Sequence, residues 1–381
     1  MLYWLGYERL YHPQHVLYTP FRVFQYATFR IAMASITALL MAIILGPWVI
    51  ARLRQFQIGQ HIREDGPKSH HKKAGTPTMG GLLIGVAIVV PTLLWANLRT
   101  PAVWVALTGL ISFGAIGFWD DYLKIKRKRN LGLTAKQKFT LEIMAALLVG
   151  VLLLGMNAKG VYSTAMNVPF NKNFNPDLLI HAWLHNPWTY PLAFVFFYAF
   201  VAAVLVGCSN AVNLTDGLDG LAIGLMVIAA GAMTALAYLS GHADFARYLE
   251  ISRTPDAAEL AIFCGAMAGA SIGFLWYNAH PAEIFMGDVG SLSLGGGLGT
   301  VAVLLKQEIL LFFIGGVFVI EALSVILQVG SFKLRGKRIF KMAPLHHHFE
   351  HLGWAESKII ARFWIAGLVL ALFALTTLKL R

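Results

Sequence analysis

Charge is scarce in this chain. Asp, Glu, Lys and Arg make up 13% of its 381 residues, about half the ~25% of a soluble domain. That scarcity excludes a disordered, solvating chain. With 57% hydrophobic residues and a mean hydropathy of +0.63, there is more apolar surface than one globular core can bury. Cysteine is nearly missing: Cys208 and Cys264 both fall in or at the edge of apolar runs, which excludes a disulfide framework and reads as small buried hydrophobes. Strict alternation is missing too. The apolar runs are continuous, which excludes a membrane β-barrel. No short apolar core followed by small residues opens the chain, so no cleavable signal peptide is expected. No repeat or low-complexity linker divides it, and a single unit over 1–381 is expected.

What remains is an all-α, polytopic integral membrane protein. A transmembrane helix takes ~20 apolar residues, and ten apolar runs recur, near 24–51, 78–97, 102–121, 139–156, 189–208, 217–239, 258–277, 289–305, 308–330 and 359–378. Before them, Tyr3, Trp4, Tyr7 and Tyr11 fall near one helical stripe, which suits a short interfacial helix. The glycines at 295, 296, 297 and 299 suit close helix packing. A nucleotide-binding glycine loop would need a preceding strand.

The formal charge of +12 sorts by loop, so it is no sign of nucleic-acid binding. Nineteen Lys and Arg fall in the loops after odd-numbered spans, against ten on the opposite side. The positive-inside rule then makes the odd-numbered loops cytoplasmic and both termini external. Five of the nine aspartates (Asp120, Asp121, Asp216, Asp219 and Asp288) gather at that same face. Helix capping accounts for one or two of them, not for five.

Several stretches could carry chemistry. Asp120 and Asp121 are adjacent at the end of the third span, and keeping both ionised needs a cation or basic neighbours. Successive helical residues point ~100° apart, so only one of the two is expected to face a shared site. Asp216 and Asp219 are three apart and share a face if helical, and the glycines after each allow a ligand close to the backbone. Asp288 stands where the eighth span begins. A hard cation such as Mg²⁺ takes one or two carboxylates plus substrate phosphates, which Asp288 near Asp120 and Asp121 would meet. His346, His347 and His348 are consecutive. They cannot all face one ion on a regular helix, so zinc is disfavoured, and donors to phosphate or acid–base groups suit them better. Together these features suggest phosphoryl transfer to a membrane lipid. The rival is a secondary transporter, on the strength of Glu321 inside the ninth span. Against it, transporter sites lie near the midplane, whereas the aspartates cluster at one face.

The stretches Gly75–Gly81, Gly117–Lys124, Asn210–Ala222, Phe285–Gly296 and Gly330–Trp354, in that order, resemble the phospho-N-acetylmuramoyl-pentapeptide transferases of bacterial peptidoglycan synthesis. The Thr76-Pro-Thr-Met-Gly-Gly81 and Pro344-Leu-His-His-His-Phe-Glu350 runs favour that family over related UDP-N-acetylhexosamine polyprenyl-phosphate transferases. The resemblance implies ten helices in the bacterial inner membrane, external termini and a cytoplasmic active site. It implies Mg²⁺ as cofactor, and UDP-N-acetylmuramoyl-pentapeptide and the membrane lipid undecaprenyl phosphate as substrates, giving lipid I and UMP. It implies Asp288 as the Mg²⁺ ligand, Asp120 and Asp121 as the pair activating the lipid phosphate, and Lys138, Asn213, Asp216 and His346 as residues needed for activity. Lys138 and His346 are expected to offset charge. Lys73, Thr78, Gly217, Asp219, Asn278 and Phe285 match the nucleoside pocket, with Phe285 suited to stack on uracil. A homodimer and a monomer are both left open.

Overall fold

The structure, a computed structural model, describes residues 1–11, 16–55, 75–127, 131–169, 171, 174–179, 184, 188–249, 251, 253–254 and 256–378. Thirteen α-helices are described: α1 Ala27–Gln55, α2 Gly81–Trp95, α3 Pro101–Arg127, α4 Ala135–Ala158, α5 Tyr190–Thr215, α6 Leu221–Gly241, α7 Ala243–Leu249, α8 Ala257–Asn278, α9 Gly287–Leu305, α10 Glu308–Ile314, α11 Gly316–Arg335, α12 Leu345–His351 and α13 Glu356–Thr376. Nine of them are long and apolar enough to cross a membrane, and α2 is a shorter apolar helix. The chain is a multi-pass membrane protein.

The helices start and stop where local chemistry directs. Pro101 opens α3, its missing N–H costing nothing in a first turn. Lys124, Lys126 and Arg127 close it, opposite in sign to the partial charge at a helix C-terminus. Thr134 and Gln137 form a reciprocal capping box at the start of α4. Ahead of α1, the helical segment Trp4–Leu10 stacks Tyr3, Tyr7 and Tyr11 at 5.7 and 5.6 Å between rings, the aromatic stripe expected there.

The expected ninth span is not one helix. It divides into α10 and α11 at Gly315. A Gly-Gly pair weakens the helix there, and a Cβ on Gly316 would stand 2.7 Å from Leu370 of α13. The Gly-Gly pair thus lies close to α13 at the break, a feature hydropathy alone does not register.

Almost all of α9 is buried, between α3 and α5. A Cβ on Gly117 of α3 would collide with the carbonyl oxygen of Asp288. With no side chain there, α3 lies against the first turn of α9, and that contact brings Asp120 and Asp121 to Asp288. Some 28 Å away, at ~1.5 Å per residue along α8, the other end of the bundle is braced by a buried bidentate pair. Arg30 of α1 donates to both oxygens of Glu259 of α8 at 2.7 Å, and Asn97 N–H donates to the same carboxylate at 2.7 Å.

The C-terminal end of α9 holds a second buried polar group. Lys306 lies 3.6 Å over the Tyr162 ring, and Glu308 is 1% exposed. Burial pushes the Glu308 carboxyl up to about 7 and the Lys306 ammonium down to about 8. The folded protein therefore keeps the Glu308 proton above the ordinary 4.5, where the unfolded chain loses it, and this contribution to stability falls as pH rises from about 4.5 to 7. The folded protein releases the Lys306 proton below the ordinary 10.5, and that contribution rises from about pH 8 to 10.5. We expect the melting temperature of the double variant Lys306→Met, Glu308→Leu, minus that of wild type, to peak between pH 7 and 8. A difference flat in pH would show that the two groups titrate as they do in water.

Candidate active site

Four elements converge at the N-terminal end of α9. Its first turn carries Asp288, and α3 contributes Asp120 and Asp121 from its last turns. The first turn of α4 brings Lys138, and the last turn of α5 brings Asn213. Asp288 Oδ1 accepts from Asn213 Nδ2 at 2.8 Å, and Asp288 Oδ2 accepts from Lys138 at 3.0 Å. Asn213 also donates to Ser291 Oγ at 2.8 Å. A turn deeper, Glu142 of α4 accepts from Asn210 of α5 at 2.6 Å, tying together the helices that carry Lys138 and Asn213.

Both adjacent aspartates face the site, contrary to the expectation for one alone. Asp120 Oδ1 accepts from Leu133 N–H at 2.6 Å, and Asp121 Oδ2 accepts from Val289 N–H at 3.2 Å. Each is thus held by main chain, Asp121 on the free amides that open α9. Their other oxygens meet at Lys124, whose Nζ lies 2.6 Å from Asp120 Oδ2, 3.2 Å from Asp121 Oδ1 and 2.9 Å from Asp288 Oδ2. Sequence reasoning passed over Lys124. The signal was its spacing, four residues after Asp120 and three after Asp121, which puts it on their face of the helix.

The floor beside this cluster is main chain. Phe285 N–H donates to Pro77 O at 2.8 Å, Gly80 N–H to Phe285 O at 2.9 Å and Gly81 N–H to Met286 O at 2.8 Å. Gly287 then turns with φ 70°, a conformation that L side chains rarely adopt. A Cβ there would meet Asp121 Oδ2 at 2.6 Å and Thr78 Oγ1 at 2.9 Å, so Thr78 belongs to the site's wall. Phe285 is half-buried above the same strip. Lys73 lies outside the described residues.

Of the remaining expected residues, Asp216, Gly217 and Asp219 lie in the loop after α5, Asn278 ends α8 and His346 lies in the first turn of α12. Burial, with help from the carboxylates of Asp288, Asp121 and Asp219, pushes the Asp216 carboxyl up to about 8. Asp219 Oδ2 accepts from Ala282 N–H at 3.2 Å and meets His280 Nδ1 at 3.1 Å. Asp219 N–H donates to Glu356 Oε1 of α13 at 3.1 Å. Asn278 spends both ends of its amide on main chain, accepting from Gly220 N–H at 3.0 Å and donating to Ile284 O at 2.8 Å. Asn278 therefore ties the end of α8 to the loops on either side of it.

His346 departs from expectation. It is fully buried, its Nε2 lies against Gly217 where a Cβ would clash, and its Nδ1 is 3.2 Å from Glu321 Oε2. Glu321 also accepts from Leu345 N–H at 2.7 Å and His346 N–H at 3.1 Å. The intramembrane carboxylate thus anchors the start of α12, and the observation behind a transporter is accounted for. His346 packs against the loop that carries Gly217. Its position in the motif pointed to the site, but its depth was not visible in the sequence.

The residues at the centre suit a hard divalent cation. One oxygen from each of Asp120, Asp121 and Asp288 lies within 4.8 Å of the others, all donors are carboxylate oxygens of the kind such ions take, and a cationic group already sits among them. Asp219, His280 and Glu356 form a second group of that compactness among the described residues, but its atoms already bond one another and the surrounding amides.

Comparison with known proteins agrees with this geometry. A family model described as glycosyl transferase family 4 matches residues 103–306, and the phospho-N-acetylmuramoyl-pentapeptide-transferase signature 1 matches residues 73–84. Similarity extends over the whole chain. A protein of Solibacter usitatus named phospho-N-acetylmuramoyl-pentapeptide-transferase is 67% identical over 382 residues, covering 100% of both chains. The chain belongs to the phospho-N-acetylmuramoyl-pentapeptide-transferase family. Relatives of the same name in Koribacter versatilis and Geobacter sp. are 67% and 55% identical, covering 100% and 98% of this chain and 100% of each of theirs. The signature ends in α2 and takes in the Pro77–Gly81 strip of the site floor, while the glycosyl transferase match runs from α3 through α9 and includes all three central carboxylates.

Proposed function

We propose that this chain transfers phospho-N-acetylmuramoyl-pentapeptide from its UDP-activated form to undecaprenyl phosphate, giving lipid I and UMP in peptidoglycan synthesis. The observation that carries the reading is the convergence of Asp120, Asp121 and Asp288 with Lys124 and Lys138 at the ends of membrane-crossing helices. There a lipid headgroup and a soluble nucleotide can meet. The basic loops around the site support a cytoplasmic active site in the inner membrane with both termini external.

Asp288, with Asp120 and Asp121, would hold Mg²⁺, which supplies a Lewis acid for charge on the phosphates. An oxygen of the prenyl phosphate attacks the sugar-linked phosphorus. The bond from that phosphorus to the bridging oxygen breaks, and its electron pair leaves with UMP. One of Asp120 and Asp121 orients the attacking phosphate or takes its proton. Lys138 and Asn213 fix Asp288, so the carboxylate need not reorganise as charge moves. Thr78, Gly217, Asp219, Asn278 and Phe285 shape the nucleoside pocket, with Phe285 stacking on uracil. Asp216 faces the phosphates, and His346 positions the loop that carries it.

Purified protein should release UMP from the UDP-sugar only when a prenyl phosphate is present. Release without the lipid would point to a hydrolase instead.

A further inference from the structure

Lys124 holds a place that the proposed chemistry assigns to another cation. Its ammonium has three N–H donors and three carboxylate partners, at 2.6, 3.2 and 2.9 Å. Lys138 differs, since it reaches Asp288 and Asn213 and stands to one side. A divalent ion bound to the same oxygens at ~2.1 Å would occupy the space now taken by Lys124 Nζ. The charges point the same way. Fully ionised, as ligands to a cation must be, the three carboxylates carry three negative charges, of which Lys124 and Lys138 offset two. Adding a divalent ion with both lysines in place leaves the cluster net positive, with two cations in contact. Adding it with Lys124 withdrawn leaves the cluster neutral.

Withdrawal is open to this side chain. The Lys124 side chain is 32% exposed, which places it at the mouth of the site, and its stem is a flexible four-carbon chain. What the ammonium needs after leaving three carboxylates is another anion, and the substrates bring phosphates to that mouth.

We propose that Lys124 is a tethered counter-ion that competes with the divalent cation for Asp120, Asp121 and Asp288, and moves onto substrate phosphate when the ion binds. The proposal rests on the metal reading given above and adds an order to it. The enzyme without substrate binds the ion weakly. A nucleoside diphosphate tightens ion binding by giving Lys124 somewhere to go, and the ion tightens nucleotide binding by the same factor. Lys124 is then a catalytic residue that reaches the phosphates only in the loaded site.

The test is a Mn²⁺ titration of the full-length, detergent-purified protein, following free Mn²⁺ by electron paramagnetic resonance, with no substrate and then with UDP. Lys124→Gln keeps length and polarity but removes the charge. It should bind Mn²⁺ on the order of tenfold to a hundredfold more tightly than wild type without UDP, because a cation in contact with the ion is gone. Lys124→Ala should shift in the same direction. UDP should strengthen Mn²⁺ binding more in wild type than in either variant. Unchanged or weaker Mn²⁺ binding in both variants, with wild-type melting behaviour, overturns the proposal while leaving the metal site intact. Undiminished Mn²⁺ binding in Asp288→Asn would instead place the ion elsewhere and remove both the proposal and the reading beneath it.

Discussion

Asp288→Asn should lower UMP release by about 10³-fold or more, while the protein still inserts and purifies as wild type does. The side chains are nearly the same size, and an amide oxygen can still accept from Asn213, now at 2.8 Å. The charge is what goes. Asp288 is the carboxylate that two lysines share, at 2.9 and 3.0 Å, and the one that faces Asp120 and Asp121 across the site. Without it the proposed cation loses its principal ligand, and the developing charge on the departing UMP loses its compensation. Loss of one preorganised electrostatic group at a reacting centre costs ~10²–10³ in rate, and here the group also carries the ion. Single-turnover measurement of UMP release would separate this from slow product departure. Near-normal turnover would mean that Asp288 is only an acidic residue in the first turn of α9.

The second large effect is an exchange that a chelator abolishes. The proposed reaction breaks one pyrophosphate linkage and makes another of the same kind, with no net hydrolysis. Its equilibrium constant should lie within a few powers of ten of unity, at ~1.4 kcal/mol for each. The protein must therefore run the reaction in both directions through the same carboxylates. Labelled UMP should enter the UDP-sugar when lipid product, Mg²⁺ and enzyme are together. Chelation should bring that exchange to background, and Asp288→Asn should do the same with the ion present. If UMP never re-enters the nucleotide sugar, the chemistry is hydrolysis of the sugar nucleotide and not transfer.

The membrane architecture was legible because its signal is continuous. Runs such as 139–156 and 258–277 fall inside α4 and α8, where ~20 apolar residues in a row have few other structures to adopt. The break at Gly315 was not legible, since the apolar run continues through the Gly-Gly pair without a change in hydropathy. The site divides along the same line. Asp120, Asp121 and Asp288 announced themselves as carboxylates at the ends of apolar runs, because such groups cannot sit there without partners. Their partners were harder to see. Lys124 was hidden among seven Lys and Arg around the loop between α3 and α4, where only its spacing from Asp120 and Asp121 set it apart. His346 was expected to offset charge at the site, and the structure encloses it between Glu321 and Gly217. Burial of a polar side chain is settled by what surrounds it in three dimensions, and no local pattern records that.

The strip from Pro77 to Gly81 lies against Phe285 and Met286 through three main-chain hydrogen bonds. A substitution changes a side chain, but it leaves the peptide groups that form this floor. Pro77, Met79, Gly80 and Gly81 are buried, so what an inhibitor would meet is the half-buried side chains this scaffold holds, Phe285 and Thr78. Resistance would have to arise in those side chains, where a change would also meet the substrate in the proposed pocket.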